Sequence, residues 1–397
     1  MKAYKTELAP NNVQRTLLLK SAGTARFAYN WGLAKRQKQF EQTGRSSSCL
    51  SLRRELNSIK RVEYPWMLEV SKCCPQEALR DLEVAYQRFF KGVSGHPTFK
   101  SKKNGAGSFT FSYNIKVSLD RVKVPRIGDV RLKEKNYLPT DQHILSATVS
   151  EHSGRWFVSV LTREEVKAPE NNGPVIGIDL GVNSLATCSD GVIFSNPKAL
   201  RRNERKLAVL QRSLSRKVKG SCNRNKARRR VAKIHGRIAN IREDVIHKIT
   251  TQLAKTKSVV VIEDLNNRGM MRNHKLAKAI SDASFGEFRR QLEYKAKWYG
   301  SRVVVADRWF PSTKGCSRCG IVKDMALSDR VYTCPVCGNE MDRDLNASKN
   351  LESVALSSRE TLNACGELTA TEEAVPVMQV DSMNQEPNTI QENFLNG

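Results

Sequence analysis

After residue 174, apolar residues occur in two short continuous runs, and each run carries an acidic residue near its C-terminal end. The first covers residues 175–180 and includes Asp179, and the second covers residues 259–265 and includes Glu263. Short runs rich in β-branched residues predict buried strands, and an acid at the C-terminal end is typical of a strand that reaches the edge of a sheet. The pattern therefore predicts a sheet with an acid at the end of each of two strands.

Segments with apolar residues at helical spacing lie between and after these strands. Leucine and isoleucine recur at helical intervals over residues 198–253, which predicts a helical hairpin before the second run. An apolar stripe over residues 284–299 predicts another helix, with Ser284 and Glu287 at the spacing of a capping box. Further short strands are predicted at residues 185–189, 192–195 and 302–306. Strands that alternate with helices in this way predict an α/β domain.

The first half of the chain shows two other patterns. Residues 2–8 alternate as a strand, and apolar residues then recur at helical spacing up to residue 90, which predicts a small basic helical module. Residues 95–165 alternate over short segments separated by turn residues, as in a barrel or a sandwich. A linker rich in Pro, Asn and Gly at residues 168–174 marks a domain boundary.

Composition indicates a nucleic acid partner. The 397-residue chain carries 67 Lys and Arg against 40 Asp and Glu, a formal net charge of +27. This excess suits a polyanion such as nucleic acid, and a membrane surface is the weaker alternative. No apolar run approaches the roughly 20 residues that span a bilayer, and no signal-peptide core follows the first residues. We therefore expect a cytoplasmic protein with no membrane partner.

The basic residues concentrate at residues 198–242, where 17 Lys or Arg accompany a single acid, Glu204. One face of the predicted hairpin would pack, and the other would lie along a phosphate backbone. A charge run is often only a solvated helix face, but acids normally balance such a face and here they are missing. The candidate nucleic-acid contacts are Arg201, Arg202, Arg205, Arg224, Arg228, Arg229 and Arg230.

Lys72 and Gln76 lie one helical turn apart in the N-terminal module. Lysine and glutamine side chains can read base edges in a major groove, so both residues are candidate nucleic-acid contacts. Polar residues at this spacing more often form a solvated helix face, and that interpretation is the stronger of the two.

A third acid joins Asp179 and Glu263 as a candidate for chemistry. Asp344 follows a cysteine cluster at the start of a predicted helix. Neighbouring carboxylates repel one another unless a cation neutralises them, and oxygen ligands without histidine select Mg²⁺ or Mn²⁺. Such a set suits two-metal hydrolysis of phosphodiesters. Any one of these acids alone would only mark the solvent boundary of a sheet.

Four of the ten cysteines form two Cys-x2-Cys pairs, Cys316 with Cys319 and Cys334 with Cys337. Four thiolates leave no open coordination position, so the spacing predicts a structural Zn²⁺ site. A redox role is the alternative, but neither pair opens a thioredoxin-like βα unit. The other six cysteines are scattered without a disulfide framework, which favours reduced thiols.

Four motifs together resemble one family. They are GIDLGVNSLATCSDG at 177–191, VIEDLNNRGM at 261–270, CSRCG to CPVCG at 316–338 and DRDLNASKNL at 342–351. In this order they resemble the TnpB family, transposon-encoded nucleases with a RuvC-type domain that are similar to compact type V CRISPR effectors. The positions that match the family's catalytic residues are Asp179, Glu263 and Asp344.

The resemblance implies a multidomain α+β protein. An N-terminal helical module and a β-barrel would precede a RuvC/RNase H-like α/β nuclease domain with an inserted four-cysteine zinc ribbon. The implied divisions are 1–92 for the N-terminal strand and helical recognition module, 93–168 for the β-barrel completed by the N-terminal strand, 169–365 for the nuclease domain and 312–341 for the zinc ribbon. Residues 366–397 carry six acids and no Lys or Arg, so their composition predicts a disordered acidic tail.

The resemblance also implies a function. The protein would bind a guide RNA derived from its transposon's end, recognise a short motif beside the target DNA and cleave the DNA, as a monomer with RNA. The alternatives are a compact CRISPR effector nuclease and an RNA-guided or sequence-directed DNA-binding regulator without cleavage. Regulators of that kind lose an acid, and this chain keeps all three. A transposase of the same fold usually orders its acids Asp, Asp, Glu, whereas the order here is Asp, Glu, Asp.

Overall fold

The computed structural model describes residues 1–102, 107–164, 168–326 and 329–364. Contacts divide the chain into two units, Met1–Ala355 and Leu356–Gly397. The predicted acidic tail at residues 366–397 lies outside the described residues.

The strands are, in chain order, β1 Lys2–Ala9, β2 Ser108–Phe111, β3 Lys116–Val117, β4 Arg121–Val124, β5 Gly128–Leu132, β6 His143–His152, β7 Arg155–Arg163, β8 Val175–Asp179, β9 Ser184–Cys188, β10 Ile193–Ser195, β11 Val259–Glu263, β12 Arg302–Ala306, β13 Val331–Thr333 and β14 Glu340–Asp342. The helices are α1 Asn12–Thr43, α2 Cys49–Ile59, α3 Cys73–Phe90, α4 Ala199–Ser215, α5 Cys222–Thr256, α6 Asn267–Met270, α7 Ala277–Ala283, α8 Phe285–Tyr299 and α9 Arg343–Ala364, with a 3₁₀ turn at Pro65–Glu69.

The first sheet is antiparallel and has the order β2-β6-β7-β1-β5-β4-β3. The N-terminal strand β1 lies inside it, paired with β7 on one side and β5 on the other. Helices α1, α2 and α3 share a hydrophobic core with this sheet, in which Phe109 and Phe111 of β2 are buried. Among the described residues β2 and β3 do not pair with each other, so the sheet is open and the predicted closed barrel is not confirmed.

The second sheet has the order β10-β9-β8-β11-β12. Strands β8, β11 and β12 are parallel, while β9 and β10 return as an antiparallel meander, as the short runs predict. Ile178 and Ile262 face α5 and α8 on one side of the sheet. Val261 faces the opposite side, where it packs with Leu351 of α9. The sheet is therefore covered by helices on both faces, which explains why its parallel strands are continuous apolar runs.

The start of α8 differs from the prediction. Ser284 has a positive φ of 58°, and its side chain makes no cap bond to the helix. Its hydroxyl instead donates to the carbonyl of Ser281 at 3.2 Å, because this residue also ends α7 and turns the chain between the two helices. The side chain of Glu287 pairs with Arg290, and the N–H of Ser284 donates to the carbonyl of Ile280 instead of to Glu287. The predicted capping box is therefore wrong.

None of the helices in the described ranges combines the length and the apolar character that crossing a membrane requires.

Candidate active site

Asp179 and Glu263 end two adjacent parallel strands. Ile178 of β8 lies opposite Ile262 of β11, so the acids that follow them are neighbours at the same edge of the sheet. Side chains alternate between the faces of a strand. Asp179 therefore shares a face with Gly177, and that is the face on which α9 packs. The sequence pattern placed both acids at strand ends, and the structure brings them together.

Gly177 allows α9 to lie directly against β8. A Cβ atom at this position would lie 1.9 Å from the carbonyl oxygen of Ser348 and 2.4 Å from the backbone nitrogen of Glu352. Real Cβ contacts are never this short, so only glycine accommodates the approach of the helix. The close packing places the first turn of α9, which carries Asp344, at the edge where β8 ends.

The two aspartates at the start of α9 have different partners. Asp342 accepts hydrogen bonds from the backbone N–H groups of Asp344 at 2.9 Å and Leu345 at 3.1 Å, which satisfies exposed donors of the first helical turn. Asp344 accepts from the guanidinium of Arg343 at 3.1 and 3.2 Å. The first acid thus serves the helix end, and the second remains part of the carboxylate set.

The three carboxylates influence one another electrostatically. Burial, together with the charges of Glu263 and Asp344, raises the pKa of Asp179 to about 8, although Arg343 acts in the opposite direction. Among the described residues, the four cysteines are the only set of three or more possible metal ligands whose ligand atoms all lie within 4.8 Å. The carboxylates are therefore spread more widely than the thiols. The raised pKa of Asp179 shows that the three negative charges are unfavourable together, and a bound divalent cation would neutralise them.

Two neighbouring residues orient or restrain this edge. The hydroxyl of Ser312 donates a hydrogen bond to Glu263. Asp264, the next acid along the chain, forms ion pairs with Arg289 at 2.9 Å and with Arg308, and these hydrogen bonds hold the pKa of Asp264 below its usual range. Asp264 is therefore already neutralised by protein groups, unlike Asp179.

The four predicted zinc ligands lie together. The Sγ atoms of Cys316 and Cys337 are 3.6 Å apart, as are those of Cys319 and Cys334, and all four cysteines are free thiols. Burial opposes ionisation of Cys316, but the backbone N–H groups of Cys319 and Arg318 outweigh it and lower the pKa of Cys316 to about 6. Soft thiolates in this number suit a closed tetrahedral Zn²⁺ site.

Two buried asparagines of α9 connect the cysteine loop to the carboxylate edge. Asn346 and Asn350 each donate to the carbonyl of Gly315 at 2.7 Å, and Asn350 also donates to the carbonyl of Ser312 at 2.7 Å. Asn346 in turn accepts from the N–H of Ser317 at 3.0 Å. Sequence reasoning missed these contacts and that of Ser312. The only signal was the i, i+4 spacing of two asparagines, which places them on one face of a helix.

The basic hairpin of α4 and α5 packs through apolar residues that include Leu207, Ile234 and Ile238. Arg224 is half-buried, and its guanidinium donates to the carbonyls of Leu214 at 3.0 Å and Lys217 at 2.8 Å, so it closes the turn of the hairpin. The other candidates are exposed on the hairpin surface: Arg201, Arg202, Arg205, Arg228, Arg229 and Arg230.

Lys72 and Gln76 lie at the start of α3. Lys72 is exposed, with its Nζ 5.3 Å from the ring centre of Tyr113. Gln76 is half-buried, and its backbone carbonyl accepts a hydrogen bond from Arg53 at 2.9 Å. These contacts leave the base-reading role of both residues a prediction.

Comparison with known proteins places matches along most of the chain. Family models match as "Probable transposase" over residues 157–274, "Cas12f1-like, TNB domain" over 285–351 and "Helix-turn-helix domain" over 1–45. Two relatives share the name "Putative RNA-guided DNA endonuclease". The one from Streptomyces pristinaespiralis is 39% identical over 92% of this chain and 91% of its own length. The one from Escherichia coli (strain K12), which carries the further name InsQ, is 32% identical over 93% of this chain and 94% of its own.

A solved structure, "Structure of the mini-RNA-guided endonuclease CRISPR-Cas_phi3", covers 89% of this chain and 92% of its own chain at 10% identity, with a TM-score of 0.44. A score at this level does not by itself establish a shared topology.

Proposed function

This chain belongs to the TnpB family, and from that premise we propose that it is an RNA-guided DNA endonuclease associated with a transposon. The observation that carries the proposal is the meeting of Asp179, Glu263 and Asp344 at one sheet edge, where burial and the two neighbouring acids raise the pKa of Asp179. A structural protein gains nothing from repelling carboxylates, whereas a metal-dependent nuclease requires them.

The three acids hold Mg²⁺ or Mn²⁺ in a RuvC-type site. Bound divalent cations supply charge neutralisation at the scissile phosphate and a water molecule acidified for attack. Ser312 fixes the orientation of Glu263 through its hydroxyl. Arg343 pairs with Asp344, whereas Asp264 is already neutralised by Arg289 and Arg308 and would not be needed to hold a cation. The parallel β8, β11 and β12 with the antiparallel meander support an RNase H-like domain at residues 169–365.

The four cysteines hold a structural Zn²⁺ within a ribbon at residues 312–341. Four thiolates leave no position open for substrate. Because Asn346 and Asn350 bind the loop at Ser312 and Gly315, the folded ribbon secures α9 and thereby Asp344. The zinc site therefore acts on cleavage only through the position of the helix.

The partners are a guide RNA and a target DNA, bound in the cytoplasm by one copy of the chain. Residues 1–92 and 93–168 form the recognition module and the β-rich module, and the exposed arginines of α4 and α5 contact phosphates. Base pairing with the guide selects the target. A DNA-binding regulator without cleavage is the second candidate, and the presence of all three acids favours the nuclease. A compact CRISPR effector would use the same site in another genetic context.

The guide is tested by expressing the protein together with the flanking sequence of its gene and sequencing the RNA that copurifies. We expect one RNA species, part of which directs Mg²⁺-dependent cutting of matching DNA. Random cellular RNA, combined with no cutting of any matched target, would contradict RNA guidance.

The basic hairpin is tested through the salt dependence of binding. Replacing Arg228, Arg229 and Arg230 with glutamine should reduce the slope of log affinity against log salt by roughly 2 to 3, because about three phosphate contacts are lost. Arg224→Gln is the contrast, since it should lower thermal stability and leave the slope unchanged. An unchanged slope in the folded triple variant would mean that these arginines only face solvent.

A further inference from the structure

Trp309 is the most exposed large apolar side chain among the described residues, with 85% of its surface accessible. The chain's other tryptophans are more covered: Trp156 is 3% exposed, and Trp66 is 42% exposed against Phe27. No aromatic ring lies against Trp309 in the part of the chain that the structure describes. A side chain of this size is rarely left in water without a partner that covers it.

The segment that carries Trp309 is held in a defined turn. The N–H of Trp309 donates to the carboxylate of Asp307 at 2.8 Å, and the N–H of Phe310 donates to the carbonyl of Asp307 at 3.0 Å. Phe310 packs into the core beneath the sheet with Val259 and Leu351. Phe310 therefore anchors the turn, and the fold does not require the indole of Trp309 for packing.

This turn adjoins the carboxylate edge. Ala306, the last residue of β12, lies opposite Glu263 in the register of the two parallel strands, and Trp309 follows three residues later. Ser312, three residues further, donates its hydroxyl to Glu263. Both ends of the segment 306–312 are therefore next to Glu263, and a span of three residues keeps the backbone of Trp309 within about 10 Å of Ala306.

Two basic side chains flank Trp309, but the attraction for a nucleic acid strand comes from the charge of the whole chain. Arg308 immediately precedes Trp309, and Lys314 follows it on the same loop; each pairs with an acid, Asp264 and Asp324 respectively. The chain as a whole carries a net charge of +27. Aromatic side chains beside basic groups form stacking platforms for unpaired bases, because every base offers a π-face.

We propose that Trp309 stacks on an unpaired base of the DNA strand presented to Asp179, Glu263 and Asp344, and so fixes which phosphodiester lies at the carboxylates. This rests on the proposed nuclease function. Trp309 is a positioning residue, since it contacts a base that flanks the cleaved bond and takes no part in the chemistry. Its loss leaves the carboxylates intact but allows the strand to slide past them.

The test combines substitution of the protein with removal of single bases from the DNA. The full chain with its guide RNA, in an Asp179→Asn background that leaves DNA uncut, is titrated with single-stranded oligodeoxynucleotides that carry an abasic site at successive positions. With Trp309 present, one position should show a loss of affinity of about 5- to 100-fold, the usual worth of one stacked base. In Trp309→Ala that position should no longer differ from its neighbours, and Trp309→Phe should restore most of the difference.

Two further readouts separate stacking from a loss of folding. The DNA should quench the fluorescence that Trp309 contributes, measured as the difference between the parent protein and Trp309→Phe. In the cleavage-competent protein, Trp309→Ala should spread the cut positions over neighbouring bonds. Trp298→Phe is the matched control, since this tryptophan of α8 packs against Tyr294 outside the proposed binding surfaces, and it should leave the abasic profile and the cut position unchanged.

The inference is overturned if no abasic position depends on Trp309, or if DNA leaves its fluorescence unchanged while a protein partner quenches it. A guided complex that cuts its target without such dependence overturns this inference alone. If DNA binding depends on Trp309 but the protein never cuts DNA, the stacking proposal stands and the proposed nuclease function is wrong.

Discussion

The cysteine cluster and the carboxylate cluster both gather anionic side chains, but the chain builds them in opposite ways. The cysteines come from one continuous segment around β13 and β14, and their sulfur atoms all lie within 4.8 Å of one another. The acids come from β8, β11 and α9, which lie far apart in sequence, and they are more widely spread.

The two clusters also differ in the pKa values of their side chains. Backbone N–H groups stabilise the thiolate of Cys316 and lower its pKa to about 6, although burial and the neighbouring thiols raise the pKa of Cys319 to about 12. Burial and its two acidic neighbours raise the pKa of Asp179 to about 8, and no hydrogen-bond donor to its carboxylate is found among the described residues. The cysteine cluster can enclose one ion completely. The carboxylate cluster carries negative charge that a cation accessible to substrate would neutralise.

The largest expected effect is the loss of cleavage when the carboxylate cluster is changed. Asp179→Asn, Glu263→Gln and Asp344→Asn should each lower the cleavage rate by on the order of 1,000-fold or more, because each removes a metal ligand. Nucleic acid affinity should stay close to the parent value, since the basic surface is untouched. Cleavage assays beside gel shifts measure both.

Asp264→Asn is the control for these variants. Asp264 adjoins Glu263 but is already paired with Arg289 and Arg308, so cleavage should persist. If two of the three active-site variants still cut at near the parent rate, the assignment of the carboxylates is wrong.

Changing the cysteine cluster should act on folding first. Cys316→Ser or Cys334→Ser should remove the one tightly bound Zn²⁺ per chain and lower the free energy of unfolding by several kcal/mol, about 3 or more, because zinc binding supplies folding free energy. Elemental analysis and thermal unfolding check both effects. Cys222→Ser, at an exposed free thiol outside the cluster, should change neither. An active parent protein without zinc would end the hypothesis.

Gly177→Ala should disturb the carboxylate cluster and leave the cysteine cluster intact. The added methyl group would meet the backbone of α9 at Ser348 and Glu352, which forces the helix and Asp344 away from β8. We expect a stability loss of about 1–3 kcal/mol and a cleavage rate lower by roughly 10- to 100-fold, with zinc content unchanged. Gly23→Ala is the control, because its nearest neighbour is 3.9 Å away. Parent-like cleavage in Gly177→Ala would show that the position of α9 does not control the carboxylates.

The smallest effect concerns pH. Because the folded pKa of Asp179 is about 8 and its ordinary value is 3.8, the folded state holds this proton more tightly than the unfolded state between those values. Its contribution to stability is present at low pH and is lost as pH rises toward 8. Mg²⁺ relieves the repulsion only when the acid is ionised.

Added Mg²⁺ should therefore raise the melting temperature by a few degrees more near pH 8.5 than near pH 6. Thermal unfolding in Mg²⁺-free and Mg²⁺-containing buffers measures this difference. In Asp179→Asn the difference between the two pH values should disappear. An equal shift at both pH values in the parent protein would argue against a cation at this acid.

Several features were predictable because local residues determine them. The β-branched runs predicted β8 and β11 and placed Asp179 and Glu263 at strand ends, and the paired Cys-x2-Cys spacing predicted the four-cysteine cluster. The family resemblance is confirmed by relatives that match over most of the chain. Local signals failed at Ser284, where the tertiary turn between two helices overrides the capping-box spacing.

The sequence by itself determined which segments become strands and helices and which residues could hold metals, because periodicity and ligand spacing act over a few neighbouring residues. Only the tertiary structure decided that β2 and β3 do not pair within the described residues, so closure of the first sheet is not confirmed. It also decided the hydrogen bond of Ser312 to Glu263, and the close approach of α9 that Gly177 permits. These contacts join segments distant in sequence, and no local pattern encodes them, because they depend on how the whole sheet and its covering helices pack.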